Sequence, residues 1–304
     1  MKIELSEISS YLNFAKKLIN LSEQIIKKNP LDKLKVNFKY DKSPVTKIDK
    51  SIEKTLRSLI QDKYPDHGIY GEEFVNKKIN SSYVWVIDPI DGTKNFINGN
   101  GNYGTLVSLC IDSIPVFGII NSPQLKKRWI GIKNNGAYCN GKKLKKSSLE
   151  LSLKDLFFST SGMTAFKTLG KNKKYTTLLK KTQYVTLGGD CVQYGLLSEK
   201  RIPMVVESFL KPFDFLPLVN VIEESGGIIT DWKGDALNFK SNEANFLFFK
   251  HTHASPDCVL KKYKEKKKKK TLFHLFTNKK NSKFEDIDKL LLSIRRSQLF
   301  IVSD

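Results

Sequence analysis

The amino-acid sequence predicts an α/β protein of layered α+β type, and three observations lead there. Near the start of the chain Ile8, Leu12, Ala15, Ile19 and Ile26 recur at helical spacing. From Tyr83 the pattern shifts to short apolar runs separated by Gly, Pro, Asn and Asp, the punctuation of a sheet. Beyond residue 148 strand-like and helix-like segments alternate, which argues for a second, α/β subdomain.

The first helix is followed by the polar "DKSPVTKID", and a second amphipathic helix runs after Asp49 with Ile52, Leu56, Leu59 and Ile60 on its apolar face. A turn-forming "PDHG" precedes "GEE", and the sheet runs are "YVWVI", "GTLVSLCI", "IPVFGII" and "RWIGI". The basic, polar "NGKKLKKSSLE" separates the halves. Strand-like "DLFFST" and "PMVVES" then alternate with helix-like "CVQYGLLSE" and "FLPLVNVIEES", before "GGIITDW"; Gly226 is placed to end the last helix. The expected organisation is therefore 1–148, an N-terminal α+β subdomain; 149–250, a C-terminal α/β subdomain; and 251–304, a basic tail. There "KKYKEKKKKK" reads as a solvated segment, either disordered or frame-altered.

A chain of 304 residues is long enough for a substantial core. The N-terminal "MKIELSEISSYLNF" has neither the pattern of a secretory leader nor an apolar span of about 20 residues, so the expected compartment is cytoplasmic, with no membrane partner. The 4 cysteines form no CxxC pair, which argues against a disulfide framework or a zinc site. A net charge of +21 fits nucleic acid, an anionic surface or an anionic substrate, but the lysine is spread along the chain. The tail lacks interleaved aromatics for stacking bases, so no specific nucleic acid is expected. None of the 4 histidines accompanies a candidate Ser or Cys, which argues against Ser-His and phosphohistidine chemistry.

The stretch that carries chemistry is "WVIDPIDGTKNF", Trp85 to Phe96. Its apolar run brings Asp88 to the end of a strand, and Pro89 holds Asp88 extended and stiffens the turn toward Asp91. Gly92 lets backbone approach a ligand, and the amides of Gly92 and Thr93, opening a short helix, suit an anion. Carboxylates beside anion-binding amides are reconciled by a divalent cation, for which hard oxygen ligands suit Mg²⁺. A lone DxxD is most often a solvated turn. Here Glu72 and Glu73 of "GEE" lie upstream, and Asp214 of "KPFDFLP" stands just before an apolar helix.

In that order, "GEE", "WVIDPIDGTKNF" and "PFD" before "VIEESGG" resemble the inositol monophosphatase-like phosphatases, with matching segments from about Lys42 to Asp235. The resemblance implies a sandwich of alternating helix and sheet layers, two or more Mg²⁺ ions, a small phosphate monoester substrate and a homodimer. It implies that Glu72, Asp88, the Ile90 carbonyl, Asp91 and Asp214 bind the metals. Asp49 would pair with Thr93 to orient the attacking water, and Glu73 would support the site. Asp49, Thr93, Glu72 and Asp91 thus form the expected catalytic set. Two metals about 4 Å apart supply both an activated water and charge stabilisation on the leaving alkoxide, without a covalent nucleophile. The family's usual Trp before the downstream Asp is Phe213 here, and its compact C-terminal strand and helix are hard to find.

Substrate choice must lie around the leaving alcohol. "GGDC", "YGLL", "VVE" and "LKPFD" resemble the histidinol-phosphatase branch, which places Asp190 and Glu207 beside the leaving group, with Gly92, Thr93 and Asp214 completing the expected substrate site. Two carboxylates there favour a positively charged substrate. Asp190 also reads as a helix N-cap and Glu207 as a surface strand residue. The leading expectation is a Mg²⁺-dependent histidinol-phosphate phosphatase. The alternatives are an inositol or sugar-phosphate phosphatase and, from another class, an inactive nucleic-acid-binding relative.

Overall fold

The computed structural model describes residues 5–29, 36–40, 43–146, 156–163, 172–231, 235–239 and 244–249. The expectations for the basic tail, 251–304, lie outside the described residues. Helix α1 (Leu5–Lys28) turns Ile8, Leu12, Ala15, Ile19 and Ile26 inward, as their spacing requires. A short hairpin, β1 (Val36–Phe38) and β2 (Pro44–Thr46), leads into α2 (Lys47–Lys63). The start of α2 is fixed by a capping box between Thr46 and Asp49, so Asp49 lies inside the first turn rather than ahead of it. The buried stripe of α2 is Ile48, Ile52, Leu56 and Ile60. Leu59, expected on that face, is 37% exposed, because it sits about 100° around the helix from Ile60.

The main sheet has seven strands in the order β3-β4-β5-β6-β7-β8-β9. They are β3 (Gly68–Gly71), β4 (Tyr83–Asp91), β5 (Gly104–Ile111), β6 (Ile114–Ser122), β7 (Lys127–Ile132), β8 (Gly136–Cys139) and β9 (Lys142–Lys143); a short helix α3 (Thr93–Ile97) follows β4. Only the β3–β4 pair is parallel. Alternate side chains of the long strands enter different cores. Trp85, Ile87, Val107, Leu109, Phe117 and Ile119 pack with α1 and α2, whereas Val86, Leu106, Cys110, Ile120 and Trp129 enter a second core on the opposite face. Burial on both faces explains why these strands read as continuous apolar runs.

The second sheet has five strands in the order β11-β10-β12-β14-β13: β10 (Phe158–Thr160), β11 (Val185–Leu187), β12 (Met204–Leu210), β13 (Ile228–Asp231) and β14 (Ala244–Phe249). Its helices are α4 (Asn172–Lys181), α5 (Asp190–Ser198) and α6 (Pro212–Glu224). Phe215, Leu216, Leu218 and Ile222 of α6 share the second core with Val205 and Ile229 of this sheet and with Trp129 of the first. Close approach is possible because β6 and β7 carry glycine where α6 crosses them. A Cβ on Gly118 would stand 1.9 Å from the Pro217 carbonyl oxygen, and one on Gly131 would stand 2.1 Å from the Asn220 carbonyl carbon. Helix, sheet, helix and sheet thus follow one another in layers, as the resemblance implied. Among the described residues no helix is long and apolar enough to cross a membrane.

Candidate active site

The site begins where β4 leaves its ladder. Asp88 pairs with Leu106 and Asp91 with Gly104, so β4 advances by one residue more than β5 between them. Pro89 has no N–H to continue the ladder, and the extra residue makes a bulge. The expected turn is therefore a bulged strand end, which still sends both aspartates to one place. Gly92 then adopts φ +83, and a Cβ there would meet the Asn102 carbonyl oxygen at 2.6 Å. It caps α3. Asp214 arrives from the other half of the chain. It occupies the first turn of α6, not the position before it, and its Oδ2 accepts the Lys211 amide at 2.6 Å.

One carboxylate oxygen from each of Asp88, Asp91 and Asp214 lies within 4.8 Å of the others. Burial, then neighbouring carboxylates, push Asp88 and Asp91 well above the usual carboxylate range; Asp214 rises to about 8 through burial and the Glu72 charge. Glu72, just beyond β3, reaches the Asp88 carboxylate and completes the acidic group. Asp88 Oδ1 is buried without a hydrogen-bond partner. An orphaned oxygen among converging hard ligands fits a divalent cation such as Mg²⁺, which would also relieve the repulsion. Beside this group the Thr93 hydroxyl lies 3.4 Å from Asp49 Oδ1 and 3.0 Å from the Ile90 carbonyl oxygen. The other Asp49 oxygen is held by the amide and hydroxyl of Thr46.

Three contributors escaped the sequence reading. Lys39, after β1, places Nζ 2.7 Å from both Glu72 Oε1 and Glu73 Oε1. Glu53 and Arg57, one turn apart on α2, clamp the loop after "GEE". Glu53 accepts the amides of Glu73 at 2.7 Å and Phe74 at 3.3 Å, while Arg57 donates to the Phe74 and Val75 carbonyls, each at 3.0 Å. Burial, partly offset by Lys39, moves Glu73 up to about 7. The available signal was the Glu-Arg pair at helical spacing after Asp49.

In the second half, Gly189 is the N-cap of α5, so Asp190 is not the cap; it opens the helix at φ 36. Its Oδ2 instead accepts Asn95 Nδ2 at 2.5 Å, and its Cβ would lie 3.1 Å from a Cβ on Gly92. Glu207, on β12, is only 3% exposed and so is no surface residue. Its Oε1 accepts the Ser161 amide at 2.5 Å and Gln193 Nε2 at 2.7 Å. Ser161 also hydrogen-bonds Asp190, and burial raises Asp190 to about 6 and Glu207 to about 7. Phe213 packs against Tyr70 with ring centroids 6.1 Å apart. His67 lies apart from this chemistry, stacked between Tyr64 and Tyr83 and accepting the Trp85 indole N–H at 3.1 Å.

The chain is 38% identical over 241 residues to the Arabidopsis thaliana bifunctional phosphatase IMPL2, chloroplastic, covering 79% of this chain and 69% of that protein. It is 31% identical over 202 residues to the histidinol-phosphatase of Chlorobaculum parvum, covering 66% and 77%. An inositol monophosphatase structure from Zymomonas mobilis superposes with a TM-score of 0.70 at 34% identity, over 80% of this chain and 93% of that one. The model of the inositol monophosphatase family matches residues 7–278. The chain therefore belongs to the inositol monophosphatase family, a family of metal-dependent phosphatases.

Proposed function

We propose that the protein is a histidinol-phosphate phosphatase that uses two or more Mg²⁺ ions. The observation that carries this reading is the convergence of Asp190 and Glu207, linked through Ser161, beside Gly92 and the acidic group. A buried carboxylate, Glu207, and a half-buried one, Asp190, at that border favour a leaving group that carries an amine and an imidazole over a neutral polyol. In this reading Glu72, Asp88, the Ile90 carbonyl, Asp91 and Asp214 would hold the ions, which would supply an activated water and offset charge on the leaving oxygen. Asp49 and Thr93 orient the water, and the amides of Gly92 and Thr93 receive the phosphate. The water oxygen bonds to phosphorus as the ester P–O bond breaks, and a proton passes to the leaving alkoxide.

Inositol or sugar-phosphate hydrolysis is the second reading, favoured by the likeness to the Zymomonas mobilis inositol monophosphatase. Phosphate release from histidinol phosphate, inositol 1-phosphate, fructose bisphosphate and adenosine bisphosphate tests the two. Preference for histidinol phosphate is expected; preference for a neutral polyol overturns the assignment. RNA binding without turnover would point to the inactive nucleic-acid-binding relative, which the retained carboxylates argue against. The same proposal includes a homodimer, a role in histidine biosynthesis and a cytoplasmic location, the last in keeping with free thiols at Cys110, Cys139 and Cys191. It also includes a division near residue 148, supported by the separate sheets on either side of it.

A further inference from the structure

Two hydroxyls stand in stripes that are otherwise apolar. On β5, Thr105 precedes Val107, Leu109 and Ile111 on the face that packs against α1 and α2. On α1, Ser22 falls between Leu18 and Ile26 at helical spacing. Both hydroxyl residues are fully buried. Ser22 Oγ lies 2.5 Å from Thr105 Oγ1, and Thr105 Oγ1 donates to the Pro89 carbonyl oxygen at 2.8 Å. A carbonyl can only accept, so the Thr105 proton is committed there, and the proton between the two hydroxyls comes from Ser22. The bonds therefore run from Ser22 to Thr105 to Pro89.

They end at Pro89 because β4 bulges there. Asp88 pairs with Leu106 and Asp91 with Gly104, which leaves Thr105 alone on β5 to face both Pro89 and Ile90. A peptide unit is planar, so a hydrogen bond to the Pro89 oxygen fixes the plane that runs on into Ile90. On either side of that plane stand groups read above as metal ligands, Asp88 before it and the Ile90 carbonyl and Asp91 after it. Helix α1 is itself held over the sheet, since Glu23, next to Ser22, meets Asn121 Nδ2 of β6 at 3.4 Å and Arg128 Nη2 of β7 at 3.5 Å. An apolar pair would fill the same space without desolvating two hydroxyls. What the hydroxyls add is control over one carbonyl.

We infer that Thr105 and Ser22 are positioning residues for the metal site. Thr105 holds the Pro89–Ile90 peptide so that the bulge presents Asp88, the Ile90 carbonyl and Asp91 to a divalent cation, and Ser22 orients the Thr105 hydroxyl. The inference rests on the Mg²⁺ reading above and extends it to two side chains behind the ligands.

The test is Mg²⁺ binding to the full-length protein by titration calorimetry, with the Tm in chelator recorded beside it. Thr105→Val keeps the shape, removes the donor and should weaken Mg²⁺ binding about tenfold. Thr105→Ser, which keeps the donor, should stay within about twofold of the wild type. Ser22→Ala should weaken binding by about two- to fivefold, and adding it to Thr105→Val should weaken binding no further, because Ser22 acts through Thr105. Val107→Ala, at the next residue on that face of β5, should lower the Tm and leave Mg²⁺ affinity unchanged, which separates positioning from stability. Unchanged affinity in Thr105→Val, or equal weakening in Thr105→Ser or Val107→Ala, overturns the inference. If Thr105→Val does not fold, Ser22→Ala carries the test, and unchanged affinity there is the overturning result. Asp91→Asn runs alongside. If it weakens binding and the hydroxyl variants do not, only this inference fails; if the wild type binds no Mg²⁺, or Asp91→Asn binds it equally well, the metal reading itself fails.

Discussion

Asp91 and Asp214 reach one point from two ends of the chain, the first at the end of β4 and the second in the first turn of α6. Asn at either position keeps the shape but is a poorer ligand for a hard cation. Asp91→Asn and Asp214→Asn should each reduce Mg²⁺-dependent turnover by at least about a hundredfold, with circular dichroism unchanged. Near-normal turnover at ordinary Mg²⁺ would remove the metal assignment. Glu53 is a different case, because its work is structural: it is fully buried with Arg57 and anchors the loop behind Glu72. Glu53→Ala leaves a buried guanidinium uncompensated and should cost about 3–5 kcal/mol in denaturant unfolding. Asp88 and Asp91 stood out in the sequence because Pro89 and Gly92 punctuate them locally. Lys39 and Gln193 were not, since their carboxylate partners lie 33 and 14 residues away. A single lysine also does not stand out among 52 basic residues.

At the scale of elements, periodicity carried the reading where one face was buried and failed where a backbone irregularity did the work. Helices α1 and α2 follow their apolar spacing, with Leu59 the exception. Pro89 marks where the β4 ladder breaks, but the register on either side of the bulge and the positive φ of Asp190 are set by pairing and by contacts across the border, which no local pattern encodes. The same holds for the glycines under α6. In the sequence Gly118 is one more residue in an apolar strand, whereas in the fold it is the surface on which the Pro217 carbonyl rests. Gly118→Ala should therefore destabilise the protein by about 1–3 kcal/mol, read as a lower denaturant midpoint, because backbone must yield on both sides. An unchanged midpoint would show that α6 can move away freely.

At the scale of the whole molecule, the raised carboxylates make stability a function of pH and metal together. Asp214 rises from 3.8 to about 8, and Glu73 and Glu207 rise from 4.5 to about 7. Between those limits the folded, metal-free protein binds more protons than the unfolded chain. Their stabilisation is full below about pH 4 and is lost as the pH climbs toward about 8. Thermal unfolding of the chelated protein should give a Tm that falls over this range, and Mg²⁺ should restore it by binding the folded state alone. A Tm that rises with pH in chelator would contradict the assignment. Helix α6 has a consequence of another kind. Its sequence belongs to the second half, yet its side chains share a core with Trp129 of the first sheet, and its first turn delivers Asp214. Severing the chain near residue 148 would strip the first sheet of one cover and the acidic group of one member. Neither fragment should fold alone, and mixing them should restore phosphatase activity only as α6 re-docks. A cut there would therefore give two pieces, neither of them a catalyst by itself.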